Sequence, residues 1–220
     1  MHLAVCSPVP AKQSVPIQYI TNIYYAMKKR WMLLLMICAS LHGFSQNTQV
    51  SEVARNGMTS YLDYIPQGLE KQHGFNNREE FSRATTGATY QIMAVDENGN
   101  ISPTQFYYVA VMVDGTCRAM LTVGEVDGKM GIQSVGAPIL AEGLDHLEKE
   151  LHVAGDANRI LLNDYVHKCS FAAYQQQGAS AERASFFPLP SAKAYLSQVG
   201  SNQSSYTLPE LVKAVSTPSK

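Results

Sequence analysis

The sequence predicts an α+β domain in which helices precede an antiparallel β-meander of five or six strands, and one amphipathic helix packs on a face of the sheet. Two Asp-Gly pairs, Asp114–Gly115 and Asp127–Gly128, lie between strand-like runs. Asp-Gly between alternating apolar residues is a strong hairpin signal. Apolar residues at helical spacing follow at 138–151. A helix packed on a mostly antiparallel sheet is a stable two-layer arrangement.

An apolar run preceded by positive charges is the first segment with a clear pattern. Three consecutive cationic residues, 28–30, precede a run that His42 interrupts after eleven residues, whereas a membrane-spanning helix needs about 20. A cationic stretch, a short apolar run and small residues are typical of a secretory signal peptide. We therefore expect 27–46 to be a signal peptide, Met27 to be the true start, and 1–26 to be an upstream extension. The mature protein would be exported, to the periplasm or out of the cell.

Removing 1–46 makes the chain acidic. The sequence has 17 Lys and Arg and 18 Asp and Glu, of which four cations and no acids lie in 1–46. The other 174 residues carry 13 cations and 18 acids, a net charge of −5. Because basic contacts to phosphates supply most of the affinity of nucleic-acid binders, we expect no nucleic-acid partner, and no membrane contact after cleavage. The length suits one domain, which we place at 47–199.

Two helical patterns open the mature chain. Spaced apolar residues followed by Pro66 predict a helix within 51–65, because proline ends a helix. A second, short helix is expected after Asn77, since Glu80 three residues later has capping-box spacing. These helices could cover a face of the sheet that follows.

The meander is expected to comprise strands at 87–95, 104–113 and 116–126, followed by a further strand after the second Asp-Gly pair. Alternation in the run 116–126 places four residues on one face: Cys117, Ala119, Leu121 and Val123. The turn at 96–100, "DENGN", has the opening spacing of a calcium loop. Its sixth and twelfth positions, which require glycine and glutamate, are Ile101 and Tyr107. We expect a hairpin turn, and no metal or cofactor.

The second half of the sequence predicts a helix, two strands and a closing helix. In the helix at 138–151, five apolar residues share one side: Ile139, Leu140, Leu144, Leu147 and Leu151. Strands are expected at 158–162 and 165–174, with Asn163–Asp164 as their turn. A helix at 191–199 ends the domain, and 200–220 would be a polar tail with a short helix that begins after Thr207, capped by Glu210.

Two cysteines remain after the signal peptide is removed. Cys6 and Cys38 lie in 1–46, whereas Cys117 and Cys169 would reach an oxidising compartment, where disulfides persist. They either form a bridge, which would stabilise the fold by roughly 4 kcal/mol in the chain-entropy model, or remain two separate buried thiols. Spacing alone does not decide between these alternatives.

His167 and Cys169 form the only histidine–cysteine pair that the strand pattern places on one face. A nucleophilic cysteine needs a lowered pKa, from an adjacent base or a helix N-terminus. The sequence indicates neither at Cys117 or Cys169, and it contains no hydrolase elbow, zinc-protease motif or phosphate loop. We therefore expect a protein without catalytic activity. A small secreted hydrolase using Cys169 and His167 is the alternative.

The segment 65–92, "IPQGLEKQHGFNNREEFSRATTGATYQI", resembles part of uncharacterised secreted bacterial domains. There an Ile-Pro-x-Gly turn, a Gly-Phe pair and a short helix lead into the first strand. Here these are Ile65 to Gly68, Gly74 with Phe75, and "REEF". The later run "FFPLPSAKAYL" resembles the closing element of the same domains. The resemblance implies a secreted module and supplies no site residues.

The expected function is an exported binding or interaction module for a protein or cell-envelope ligand, with a subunit of a surface assembly as a further candidate. Tyr107 lies between Phe106 and Tyr108 in one strand, so neighbouring rings point to opposite faces. The helix at 138–151 can cover only one face. The face with Tyr107 is either covered by the N-terminal helices or exposed, and exposed apolar patches often mark docking sites. In the second case Tyr107 belongs to an interaction surface.

Overall fold

The computed structural model of the protein describes residues 47–96, 100–175 and 184–215. The predicted signal peptide at 27–46, the start at Met27 and the extension at 1–26 lie outside these ranges. The first described element is helix α1 (47–63), as the apolar spacing before Pro66 predicts. In this part of the chain no helix is long and apolar enough to cross a membrane.

Seven strands form one sheet, where five or six were expected. Their bounds are β1 (Thr85–Val95), β2 (Ile101–Val113), β3 (Thr116–Val126), β4 (Lys129–Gly136), β5 (Asn158–Asp164), β6 (Cys169–Gln175) and β7 (Phe186–Pro188), and their order across the sheet is β4-β3-β2-β1-β5-β6-β7. The first four strands are the predicted meander. The Asp114–Gly115 and Asp127–Gly128 turns have positive φ at both residues, as type I′ turns require.

The sheet is mixed, so the prediction of a purely antiparallel meander is wrong. Strand β5 pairs with β1 in parallel, with Tyr90 beside Arg159 and Val95 beside Asp164, whereas the other pairings are antiparallel. After β4 the chain forms helix α2 (Pro138–Leu151) and returns on the far side of β1. A parallel pair needs such a crossover, and the sequence pattern does not specify beside which strand the chain returns.

Two further α-helices and two 3-10 helices complete the described elements: α3 (Pro190–Gln198), α4 (Leu208–Val215), and the 3-10 helices Glu70–His73 and Arg78–Arg83. The side chain of Asn77 accepts a hydrogen bond from the Glu80 amide at 3.3 Å, which confirms the predicted cap. The Thr207 amide likewise donates to the Glu210 carboxylate at 2.8 Å.

Helices cover both faces of the sheet. Consecutive residues of β2 point to opposite faces of the sheet. Tyr107 packs under α1 on one face, whereas Tyr108 faces α2 on the other. Strand β5 repeats this alternation. Leu162 belongs to a hydrophobic cluster that includes residues of α3 and α4, whereas Leu161 belongs to a cluster that includes residues of α2. Tyr206, Leu211 and Val215 belong to the former cluster, so the packed chain continues beyond 199, the expected domain boundary.

The structure decides one open side-chain position, that of Tyr107, and corrects two predicted ones, those of Cys117 and Ile139. Tyr107 is 5% exposed, because α1 covers it, so it cannot form an interaction surface. Cys117 does not share a face with Ala119, because a β-bulge opposite Val111 and Met112 shifts the register and turns Cys117 towards α2. Ile139, predicted to line the buried side of the 138–151 helix, is 76% exposed.

Candidate ligand-binding site

A cavity of about 400 Å³ lies where α2 begins, β5 ends and α3 begins. Its apolar lining comes from the starts of the two helices and from the residue before α3: Ala137, Ile139, Leu140, Gly143, Leu189 and Pro190. Its polar lining comes from β2, the end of β5, the turn after it and the start of β6 and α3: Tyr108, Asn163, Asp164, Tyr165, Lys168, Cys169, Ser170 and Ser191. Cavities of about 300–1,000 Å³ with mostly apolar walls and a few polar groups are typical of small-molecule sites.

Local sequence explains why these elements meet here. Proline occupies the first position of both helices, at Pro138 and Pro190, where its missing N–H costs nothing and its φ suits a helix. Ala137 before α2 has a left-handed conformation with φ 55°, which turns the chain sharply from β4 onto the sheet. Because β5 runs parallel to β1, its carboxyl end lies at the edge where ligands of open α/β sheets commonly bind.

The turn after β5 differs from the prediction. Strand β5 continues through Asn163–Asp164, which was the predicted turn, and the chain reverses over 165–168. The Asp164 carboxylate explains this, because it accepts hydrogen bonds from the amides of Val166 and His167, both at 3.0 Å. Such side-chain caps fix a turn after an Asp. Tyr165 and His167 are therefore turn residues and do not alternate with Cys169 along a strand.

Asp164, His167 and Cys169 nevertheless lie close together. The Nδ1 of His167 is 2.7 Å from Asp164 Oδ2, and since an ionised carboxylate can only accept, Nδ1 carries the hydrogen. The His167 ring packs on Tyr195 of α3 with centroids 4.6 Å apart. His167 does not line the cavity. The acid orients the imidazole and also holds the turn.

The environment of Cys169 opposes nucleophilic chemistry. Burial and the Asp164 carboxylate raise the pKa of the Cys169 thiol to about 12, and the residue is 1% exposed. The thiolate is the nucleophilic form of cysteine, and at neutral pH this thiol is protonated. Asp164 orients His167 but disfavours charge on the sulfur.

The hydrogen bonds among the polar lining residues leave several donors free for a ligand. The Ser170 hydroxyl donates to Asn163 Oδ1 at 2.8 Å, and the Ser170 amide donates to Ser191 Oγ at 3.2 Å. The Asn163 amide nitrogen and the Ser191 hydroxyl hydrogen form no hydrogen bond with another described residue. Burial and the neighbouring Tyr165 phenol raise the pKa of Tyr108, which therefore keeps its hydroxyl hydrogen.

Lys168 is the one basic residue in the described lining and Asp164 the one acidic residue. The Asp164 carboxylate is buried and already bonded within the turn. Within the described part of the chain, Lys168 forms no ion pair. The cavity therefore offers an unpaired positive charge at its edge.

Of the two alternatives for Cys117 and Cys169, the structure shows two separate buried thiols and no bridge. Cys117 and Cys169 are both buried free thiols, and they lie in clusters on opposite faces of the sheet. Burial, with the charges of Asp145 and Glu148, raises the pKa of Cys117 to about 12. Among the described residues, no group of three or more His, Cys, Asp or Glu could hold a metal ion.

Sequence reasoning missed most of the site. Of the residues that line the cavity, the sequence pattern singles out only Cys169 as a functional candidate, and it does so as a nucleophile and not as a ligand-binding residue. Asn163, Lys168, Ser170 and Ser191 are isolated polar residues in strand, turn and helix segments. The only sequence pattern at the site is the Asn163–Asp164 pair, which predicts a chain reversal. It does not indicate which distant segments pack around that reversal.

No family model matches the chain, and neither a curated protein nor a solved structure matches it significantly.

Proposed function

We propose that this protein is an exported, non-catalytic binding module that takes a small ligand with an apolar body into the cavity between α2, β5 and α3. The observation that carries the proposal is the lining itself. Six of its residues are apolar side chains or glycine at or just before the starts of two helices, and most of its polar groups lie at the end of β5, in the turn after it and at the start of β6. Such a division suits a ligand with an apolar part and a polar end.

Exposed apolar residues beside the cavity support the same proposal. Ile139 is 76% exposed, Tyr165 is 63% exposed, and both line the cavity. Val166, next to Tyr165, is 52% exposed. Apolar side chains grouped at the surface often mark binding sites, and here they extend the apolar wall outwards.

Blocking the cavity tests this function. The thermal unfolding midpoint of the full chain would be measured with amphipathic compounds of increasing apolar length, for the natural protein and for Ser191→Trp. Ser191 is exposed and lines the cavity, so the indole can fill it without entering the core. Ser197→Trp, at an exposed position of the same helix outside the lining, is the matched control.

We expect some compounds to raise the midpoint of the natural protein and of Ser197→Trp, because a ligand that binds only the folded state stabilises it. The same compounds should leave Ser191→Trp unchanged. If no compound stabilises the natural protein, or if Ser191→Trp responds equally, the cavity is not the binding site.

A secreted hydrolase is the second candidate, and the contact between Asp164 and His167 at 2.7 Å favours it. An acid that orients a histidine two residues before a cysteine resembles part of a catalytic triad. Hydrolysis of small esters and peptides by the natural protein, lost in both His167→Ala and Cys169→Ala but retained in Cys117→Ala, would establish this activity. The raised pKa of Cys169 leads us to expect no such hydrolysis.

A further inference from the structure

We infer that the polar end of the ligand is a carboxylate, so that the cavity selects amphipathic acids over alcohols and amines of the same length. This inference rests on the proposed function. Its basis is a set of groups that still have a hydrogen to donate, the Asn163 side-chain amide and the Ser191 hydroxyl, whose oxygens accept hydrogen bonds from Ser170. With the Lys168 ammonium group they offer several donors to one ligand group.

Charge in the cavity supports an anion. Lys168 has no ion-pair partner among the described residues, and it lies on the turn that Asp164 fixes. Its backbone has φ 54°, a left-handed position held by that turn. The Asp164 carboxylate is 2% exposed and bonded to His167 and two amides, so a ligand can contact the exposed Lys168 side chain more readily than this acid.

A carboxylate matches these groups better than a hydroxyl or an ammonium group. It accepts several hydrogen bonds and donates none, which suits a site that offers several donors and an ammonium group. A hydrogen bond from the Lys168 ammonium group to a carboxylate is charge-assisted, and such bonds are stronger than hydrogen bonds between neutral groups. An ammonium ligand would instead meet Lys168 as a like charge, and an alcohol would leave the lysine without its ion pair.

A neighbouring cavity carries a net negative charge and provides a contrast. It has a volume of about 330 Å³, is lined by α2 and by residues of 188–193, and shares Ile139, Gly143, Leu189 and Pro190 with the first. Its charged residues are Glu142, Glu150 and Lys193, with His146 between the two acids on the helix. Two carboxylates make that cavity unsuitable for an acid, so a carboxylate ligand should depend on Lys168 and not on Lys193.

The test is isothermal titration of the full chain with octanoate, octan-1-ol and octylammonium, for the natural protein, Lys168→Met and Lys193→Met. A hydrogen bond to a charged group contributes enough for about a tenfold change in affinity. We expect octanoate to bind about tenfold more tightly than octan-1-ol, octylammonium to bind most weakly, and Lys168→Met to lose the preference for the acid. Lys193→Met should retain it.

The outcomes separate the inference from the proposed function. Equal binding of octanoate and octan-1-ol, or unchanged octanoate binding by Lys168→Met, would overturn the carboxylate inference and leave the apolar binding site standing. Loss of octanoate binding in Lys193→Met alone would place the acid in the neighbouring cavity and overturn it as well. If none of the compounds binds the natural protein, the inference fails, and longer compounds in the unfolding series decide the proposed function.

Discussion

Tyr107 and Tyr108 are neighbours in β2 with opposite roles. Tyr107 is buried beneath α1, whereas Tyr108 lines the cavity on the α2 side. Pleating sends consecutive side chains to opposite faces, and this much follows from the sequence. That α1 covers the face with Tyr107 does not follow from the strand pattern alone, because it depends on how α1 packs against β2 and β3.

Tyr107→Ala tests the position of this side chain. We expect the free energy of unfolding to fall by about 3–5 kcal/mol, the usual cost of truncating a buried aromatic residue. Tyr64→Ala is the matched control, since Tyr64 is 78% exposed and surface substitutions usually change stability by less than about 0.5 kcal/mol. Denaturant unfolding measures both. Similar small losses for the two variants would mean that Tyr107 is not in the core.

The two buried thiols predict a pH dependence. Burial and nearby carboxylates raise the pKa of Cys117 and of Cys169 to about 12 from the ordinary thiol value of 9.0. A pKa raised on folding favours the folded state fully below the unfolded value, and this contribution is lost as pH rises from about 9 to about 12. Stability should therefore decline across that window, and the decline should be less steep in the Cys117→Ala/Cys169→Ala double variant.

Thiol labelling provides an independent check on the same residues. In unreduced, denatured protein both Cys117 and Cys169 should be alkylated, and in native protein at pH 8 neither should react at the rate of an exposed thiol, because the thiolate is the reactive form. Peptide mass spectrometry identifies the labelled positions. Failure to label either cysteine after denaturation would show that they are bridged.

Helix α2 is tied to the sheet by a partly buried ionic contact. Arg159 of β5 reaches Glu148 of α2, with Nε 2.6 Å from Oε1, and the Tyr90 hydroxyl donates to the same carboxylate at 2.5 Å. Arg159 also donates to three carbonyls of the loop between α2 and β5, those of Ala154, Gly155 and Ala157. The contact therefore fixes both the end of the crossover and the start of β5.

Arg159→Met should destabilise the protein by about 1–3 kcal/mol, because it removes hydrogen bonds to a charged group and leaves the partly buried Glu148 carboxylate without its partner. Glu148→Gln combined with Arg159→Met should be less destabilised than Arg159→Met alone, since a glutamine still accepts from Tyr90 without a charge. Lys149→Met is the control, because its pair with Asp145 is exposed and such pairs contribute about 0–1 kcal/mol. Equal losses for the single and double variants in denaturant unfolding would contradict this account.

Individual elements were more predictable than their arrangement. The hairpin turns at 114–115 and 127–128, helix α2 and the Asn77 cap follow from local patterns, because turn and cap chemistry involves residues a few positions apart. The turn after Asp164 was misplaced because a side-chain cap competed with the Asn-Asp turn signal. The position of Cys117 depends on a bulge opposite β2, which the sequence of β3 alone does not indicate.

The arrangement of the whole molecule arises from one pairing between distant segments. Once β5 lies beside β1, the start of α2, the end of β5 and the start of α3 meet around the cavity. No local pattern specifies this pairing, so the sequence predicts the fold class and not the site. The cavity residues lie as far apart as Tyr108 and Ser191 and only the fold brings them together.

Export is a prediction about the whole chain. We expect the mature protein to begin near Gln46–Asn47, because the cationic and apolar pattern of 27–46 is typical of a cleaved signal peptide. N-terminal sequencing of protein recovered from the extracytoplasmic fraction measures this. A recovered protein that still begins before Met27 would contradict the prediction, and so would protein found only in the cytoplasm.

Chemical-shift mapping tests the central claim, that the cavity is the binding site, most directly. The compound that most stabilises the natural protein would be titrated into isotopically labelled protein and the backbone amide signals followed. The account predicts the largest saturable changes at the cavity, at Leu140, Gly143, Ser170 and Ser191, with small changes beneath α1, at Val109 and Leu121. Saturable changes centred on the α1 face, with the cavity signals unmoved, would contradict it.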